Sequence, residues 1–467
     1  MQKNIIIVID CGATNVRAVA VCDTGEIVAM HSVPNRTQPD PYFPKGLIWN
    51  TDTIWEKLIQ CTRNIVNQIL PENIRALTIT TFGVNGAPVD TEGELLYPVI
   101  SWQCQRTVPV MEKIGKYISL DSLYKISGVN QYHFNTINTL VWLKENKPEV
   151  LDNMHAFLFI ASLFVHRLTG NMINDTTMAG TSMLTDINKR KFSAEILDAI
   201  GISDKFSKLA DPGTIAGSLL RDPASELGIP AGIPVVLTGH DTQFALIGSG
   251  AGENEAILNS GTWEILMTRT RNINLSKSMQ HAGVTNELDA IPGIYNTGIQ
   301  WLASGILEWI RNNFYTWEME NDPQSVYNVM IREATEIHAE YGKIEFDPAF
   351  AMNLGSISGL GLNTSRGEIY QAALVSLSEK TNKSLETLQK TGQFKADSLI
   401  VSGGGSKNHL WNRIRANTMG IPLRLVKESE TTVLGAAVFT FHAIGQFNSI
   451  EEGIKAFSIQ YDWIYPD

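Results

Sequence analysis

Five consecutive apolar residues, Ile5 to Ile9, stop at Asp10, and the apolar run resumes at Val16 with Ala18, Val19, Ala20 and Val21. Between them lie Cys11-Gly12-Ala13-Thr14-Asn15, small and mostly polar. A short unbroken apolar run bounded by turn residues predicts a strand buried on both faces. Two such runs joined by a glycine-bearing tip, with a second turn at Asp23-Thr24-Gly25, predict a hairpin rather than a strand that feeds a helix.

The pattern then alternates between strand and helix. Glu26 to Ser32 is extended and Pro34 to Gly46 irregular. Ile54, Leu58, Ile65, Val66 and Ile69 recur at helical spacing, with Asp52 or Thr53 as the expected N-cap and Pro71 as the stop. Ala76 to Thr80 predicts a strand entering the loop Phe82-Gly83-Val84-Asn85-Gly86, and the stretch from about 120 to 200 is mostly helical, including a helix from Ala161 to Leu168 closed by Gly170. The turn-rich Gly228 to Pro234 precedes a strand, Val235 to Leu237, that runs into Gly239-His240-Asp241. A junction just after it divides the chain into lobes 1–245 and 246–467. Past that junction the opening pattern recurs: Ala256-Ile257-Leu258, then Asn259-Ser260-Gly261-Thr262, then Trp263 to Met267. The recurrence predicts a duplicated α/β fold in which each half presents a polar hairpin tip to a shared cleft.

Several positions carry chemistry. The first tip offers a glycine where a ligand can approach the backbone, hydroxyl and amide side chains, and one carboxylate. Asp10 suits a magnesium ion held through its water shell, and Gly12, Thr14 and Asn15 suit phosphate oxygens; the alternative is an Asp that only caps a turn. Arg17 faces either phosphate or solvent. Asp241, at a strand end before an apolar helix, is either an N-cap or a general base that takes a hydroxyl proton during phosphoryl transfer. His240 is either a packing residue or a sugar contact. Gly403-Gly404-Gly405, between the strand Ala396 to Val401 and a helix bearing Leu410, Trp411, Ile414 and Met419, suits a planar or phosphorylated ligand. Gly435-Ala436-Ala437 fits close helix packing as well as a ligand role. Tyr370, Ala373, Leu374 and Leu377 read as core.

Composition narrows the partners. A chain of 467 residues with 43% hydrophobic content is expected to form two domains. A net charge of −11 and scattered tryptophans argue against nucleic acid or an anionic membrane as partner. The apolar opening run is too short for a signal peptide or a membrane span. The four cysteines, Cys11, Cys22, Cys61 and Cys104, lack metal-site spacing and read as reduced thiols, so a cytoplasmic protein is expected. Oligomeric state stays open between monomer and homo-oligomer.

Taken in order, Asp10 to Asn15, Gly239-His240-Asp241, Ser260-Gly261-Thr262, Gly403 to Gly405 and Gly435-Ala436-Ala437 resemble the FGGY carbohydrate kinases over nearly the whole chain. The segments Thr81 to Ala87, Leu96 to Trp102, Met178 to Ser182 and Gln300 to Gly305 are most similar to the branch acting on L-fuculose, with the L-rhamnulose branch as rival and D-ribulose as a further alternative. The resemblance implies a two-lobed, actin-like (ribonuclease H-like) ATPase fold with a central cleft, ATP and Mg²⁺ as cofactors, and phosphorylation of a ketose at its terminal hydroxyl. It assigns the base to Asp241 and the metal to Asp10. Gly12, Thr14, Asn15, Arg17, Gly261 and Thr262 go to the phosphates. Gly403, Gly404, Gly405 and Asn408 go to the adenosine side, and Phe82, Asn85, Gly86, His240 and Asp241 to the sugar. Two departures bear on sugar identity: members often carry an acid where Asn85 stands, and another where Cys104 precedes Arg106. A non-catalytic sensor or chaperone-like ATPase is the alternative of another class. Neither an extra DNA-binding element before Ile5 nor a substrate-binding module after the last helix is expected.

Overall fold

The computed structural model describes residues 4–202, 205–337, 344–352, 354–428 and 430–467. Two compact units emerge, each assembled from separated stretches of chain: the first from 1–250, 275–296 and 430–459, the second from 251–274, 297–429 and 460–467.

The first unit is built on a six-stranded sheet. Its strands are β1 (Ile5–Cys11), β2 (Asn15–Cys22), β3 (Ile27–Pro34), β4 (Ile74–Thr81), β5 (Ile215–Ser218) and β6 (Pro234–His240), in the order β5-β6-β4-β1-β2-β3. β1 pairs antiparallel with β2 and parallel with β4, and β6 is parallel to β4. Side chains alternate across a strand, and β1 shows why its apolar run is unbroken. Ile5, Ile7, Ile9 and Cys11 enter a core with Trp55, Leu58 and Ile65 from the helix Thr51–Val66. Ile6 and Val8 enter a second core with Phe244 and with Val433 and Ala437 of the helix Thr431–Ala443. By the same parity Asp10 faces the second core's side, where the helices Asp241–Gly248 and Thr431–Ala443 begin.

Those two helices pack very closely. A Cβ on Gly248 would lie 1.8 Å from the Thr431 carbonyl oxygen, and one on Gly435 would lie 2.0 Å from that of Phe244. Gly435-Ala436-Ala437 is therefore a helix-packing face.

The second unit carries β7 (Ala256–Ser260), β8 (Trp263–Thr270), β9 (Tyr295–Leu302) from Thr297 onward, β10 (Leu399–Ser402), β11 (Leu423–Val426) and β12 (Tyr461–Ile464). Their order is β9-β8-β7-β10-β11-β12. β7 pairs antiparallel with β8 and parallel with β10, and β10 is parallel to β11. This repeats the first unit's pattern of a leading hairpin followed by parallel strands, as the recurrence in sequence predicts. Tyr370, Ala373, Leu374 and Leu377 of the long helix Arg366–Gly392 are buried, as expected of core.

Local details differ from expectation at element ends. The helix beginning at Thr51 is capped by Asn50, whose side chain accepts from the Thr53 N–H, and not by Asp52 or Thr53. It ends at Val66, before Ile69. All four cysteines are free and buried, and no helix of the described residues is long and apolar enough to cross a membrane.

Candidate functional site

Register fixes the first cluster. Asp10 on β1 stands opposite Arg17 on β2, so the two side chains emerge on one face. Both Arg17 Nε and Arg17 Nη2 lie 2.7 Å from Asp10 Oδ2, and Arg17 Nη1 donates to Glu430 Oε2 at 2.5 Å. Arg17 is half-buried, and its guanidinium is shared between two carboxylates. Asp10 is buried, and burial pushes its carboxyl up to about 6, against the opposing pull of Arg17 and with a further push from Asp241. Burial draws the Arg17 guanidinium down, but Asp10 and Glu430 outweigh it and hold it above its usual value.

Asp241 begins its helix where β6 ends. His240 occupies the N-cap position and makes no side-chain capping bond, so Asp241 is not the cap. Its Oδ1 accepts from the Thr242 N–H at 2.7 Å, and His240 Nε2 lies 3.4 Å from the same oxygen. The Asp241 side chain keeps 29% of its surface exposed, yet desolvation still pushes its carboxyl up to about 6, partly offset by Thr242 and Arg17. Burial lowers the His240 imidazole, against an opposing pull from Glu287, and so favours its neutral form.

The strand end that delivers Asp241 is clamped. Asp175 is buried and accepts from the N–H groups of Thr177 and Met178 and from the Thr177 hydroxyl. That hydroxyl in turn accepts from the His240 N–H at 3.0 Å. Gly239 has φ +155°, and a Cβ there would sit 2.1 Å from Asp175 Oδ1. Only glycine fits. Glu430, Asp175 and Glu287 escaped the sequence reading because nothing in their local pattern ties them to Asp10 or Asp241.

The loop after β4 is strained at Val84, whose φ is +62°. A β-branched residue in that region is an outlier, and such outliers concentrate at functional sites. The Thr136 hydroxyl donates to the Val84 carbonyl at 2.6 Å and holds it. Next to it Asn85 is buried, and its Oδ1 accepts from Trp49 Nε1 at 2.9 Å and from the Trp102 N–H at 3.1 Å. With the oxygen doubly occupied, the amide is oriented to present its NH₂ group as a donor. Phe82 is buried, its ring 4.6 Å from that of Trp49, and Gly86 is pressed against the Leu158 carbonyl. At the other departure, Cys104 Sγ accepts from Arg106 Nε, and the acid comes from elsewhere in the chain: Arg106 Nη2 lies 2.6 Å from Asp40 Oδ2, with the guanidinium over the rings of Phe43 and Trp142.

In the second unit, the loop Gly261-Thr262 is one residue shorter than Gly12-Ala13-Thr14. Ser260 at its base donates to the buried Glu264, which also accepts from Trp301 and pairs with the buried Arg415. Gly403, at φ +83°, follows β10, and a Cβ on Gly405 would lie 2.0 Å from Ser260 Oγ. The glycine run is therefore seated against the second hairpin, while Gly403 and Gly404 remain exposed. Asn408 caps the helix His409–Met419 through Oδ1 and donates from Nδ2 to the Tyr370 hydroxyl, so its side chain is committed to structure.

The donor sets suit the cofactors differently. Ala13 and Thr14 carry N–H groups for which the described residues show no partner, and such backbone donors suit anions. Among those residues no group of three or more His, Cys, Asp or Glu could hold a metal alone. Magnesium keeps several waters and binds through one or two carboxylates plus substrate phosphates. Asp10, beside Asp241, fits that requirement.

Comparison with known proteins agrees along the whole length. The model of the FGGY family of carbohydrate kinases, N-terminal domain, matches residues 5–248, and that of the C-terminal domain matches residues 256–444. L-fuculokinase from Escherichia coli (strain K12) is 47% identical over 469 residues, covering 100% of this chain and 98% of the relative. Rhamnulokinase from Bacteroides thetaiotaomicron is 26% identical over 87% of this chain and 86% of its own length. The crystal structure of gluconate kinase from Lactobacillus acidophilus superposes with a TM-score of 0.90 at 21% identity, covering 100% of this chain and 94% of that one. The fold is the actin-like ATPase fold of the structurally similar sugar kinases.

Proposed function

Because this chain belongs to the FGGY family of carbohydrate kinases, we propose that it transfers the γ-phosphoryl group of ATP to the terminal hydroxyl of L-fuculose, giving L-fuculose 1-phosphate and ADP. The observation that carries the sugar assignment is the 47% identity along the full chain to an L-fuculokinase, against 26% to a rhamnulokinase.

Asp241 is the general base. A carboxyl lifted to about 6 is mostly ionised at neutral pH and holds a proton better than a surface acid does. As the sugar oxygen bonds to the γ-phosphorus and the bond to the ADP oxygen breaks, the hydroxyl proton passes to the Asp241 carboxylate. Little else is asked of the protein in phosphoryl transfer than positioning and charge stabilisation. Gly12, Thr14 and Asn15, with Gly261 and Thr262, meet the phosphates, and Gly403 to Gly405 line the adenosine side. Arg17, committed to Asp10 and Glu430, serves to orient Asp10 rather than to grip phosphate directly. Asp10 would hold Mg²⁺ through water, and the ion would supply neutralising charge to the phosphates. On the sugar side, the NH₂ group of Asn85 donates to a hydroxyl, with Phe82, Gly86 and His240 completing the subsite.

Phosphorus NMR of the protein mixed with ATP, Mg²⁺ and L-fuculose tests this reading. A phosphomonoester signal of L-fuculose 1-phosphate is expected, dependent on the sugar. ATP hydrolysis that ignores the sugar would favour a sensor or chaperone-like ATPase, and faster conversion of L-rhamnulose would move the substrate assignment.

A further inference from the structure

Asn35 stands just past β3 and touches the first hairpin loop twice. Its backbone N–H donates to the Thr14 carbonyl at 2.7 Å and its Nδ2 donates to the Gly12 carbonyl at 2.9 Å. Its side-chain oxygen, Oδ1, accepts from Lys57 Nζ at 3.0 Å. The residue is 7% exposed. One buried asparagine thus takes both outer carbonyls of the loop, and a lysine from the helix Thr51–Val66 fixes its orientation.

A trans peptide carries its C=O and the following N–H on opposite sides. With the Gly12 carbonyl drawn to Asn35, the Ala13 N–H is turned away from it; with the Thr14 carbonyl drawn the same way, so is the Asn15 N–H. The second hairpin reaches the same state without a side chain. The Gly261 carbonyl accepts from the Ser304 N–H at 3.2 Å, and the Thr262 carbonyl from the N–H groups of Ala303 and Gly305 at 3.0 and 3.3 Å. One loop is braced by main chain alone, whereas the other relies on a side-chain amide for its Gly12 carbonyl.

We propose that Asn35, held by Lys57, is a positioning residue for nucleotide binding: by anchoring the Gly12 and Thr14 carbonyls it aims the N–H groups of Ala13 and Asn15 at the phosphates of ATP. This rests on the reading that the Gly12-Ala13-Thr14 loop meets phosphate.

Calorimetric titration of the full chain with Mg²⁺ and a non-hydrolysable ATP analogue tests it, using Asn35→Ala, Asn35→Asp, Lys57→Met and, as a probe of the loop itself, Thr14→Val. Asn35→Asp keeps the size, the backbone bond to Thr14 and the Lys57 contact but loses the donor to Gly12, so it carries the test if Asn35→Ala does not fold. Loss of one hydrogen bond predicts analogue affinity weakened about fivefold to tenfold in both Asn35 variants. Lys57→Met is expected to weaken it less, and the KM for L-fuculose to stay at its wild-type value. A folded Asn35→Asp protein with wild-type analogue affinity, while Thr14→Val binds more weakly, would overturn the role of Asn35. Wild-type affinity in both variants would instead overturn the phosphate reading of the loop, and the proposal with it. Equal weakening toward analogue and sugar would assign Asn35 to general stability and also overturn the proposal.

Discussion

Asp241 accepts a proton only while it is ionised, and burial holds its carboxyl near 6. kcat/KM is therefore expected to fall as the pH drops through about 6, a profile that steady-state assays between pH 5 and 8 would trace. Asp241→Asn removes the base and is expected to lower kcat by roughly 10² to 10⁴-fold with little change in sugar KM. Stability moves the other way. A carboxyl whose folded pKa lies above its unfolded value is better protonated in the folded state, so its ionisation costs stability as the pH rises toward and through 6. Asp241→Asn should consequently melt no lower than wild type at pH 7.5, and a marked loss there would mean that the carboxylate is structural. Asp10 and Asp241 were legible in the sequence because each ends an apolar run at a glycine-bearing junction. Glu430 was not: it meets Arg17 from more than four hundred residues away, and no periodicity encodes that contact. Nor could the pattern show that Asn408 spends its side chain on a helix cap and Tyr370.

At the level of elements, the hairpins were the most readable part of the chain, since two-sided burial forces an unbroken apolar run up to a polar tip. What braces the tips was hidden. In the second unit the hairpin rests on the buried pair Glu264 and Arg415, joined by Ser260 and Trp301. Removing one member strands the other as a buried charge, at a cost of about 3–5 kcal/mol, whereas replacing both by apolar residues is near neutral. Thermal melts of Arg415→Met and of the double variant Glu264→Leu/Arg415→Met should show a large drop for the first and a recovery for the second. Sequence spacing could not pair these residues, because Glu264 lies on β8 and Arg415 on a distant helix. The clamp at Gly239 is similar in kind: the glycine is visible in the sequence, but the Asp175 carboxylate that demands it arrives from elsewhere in the chain. Gly239→Ala is expected to lose about 1–3 kcal/mol through backbone strain and crowding, together with activity, because the strand end delivering Asp241 must shift. A Gly239→Ala protein with wild-type melting and turnover would remove that role.

Across the whole molecule, the duplicated order of strands and the family were recoverable from local motifs, since each half repeats hairpin, glycine tip and parallel strand. The makeup of the compact units was less accessible. The helix Thr431–Ala443 belongs to the first unit, where Gly435 and Gly248 allow it to press against Asp241–Gly248, with Phe244 and Phe439 in edge contact at 5.5 Å. A fragment ending at Gly250 lacks that helix and exposes the core around Ile6, Val8 and Phe244. It is expected to show no cooperative thermal transition by circular dichroism, and a fragment that melted sharply would contradict this division. The most direct test of the central claim is a coupled ADP-release assay of wild type and Asp241→Ala over L-fuculose, L-rhamnulose and D-ribulose. A kinase working through Asp241 gives its highest kcat/KM with L-fuculose and loses that turnover in the variant. Turnover of none of the three sugars by wild type, or retained activity in Asp241→Ala, would contradict it.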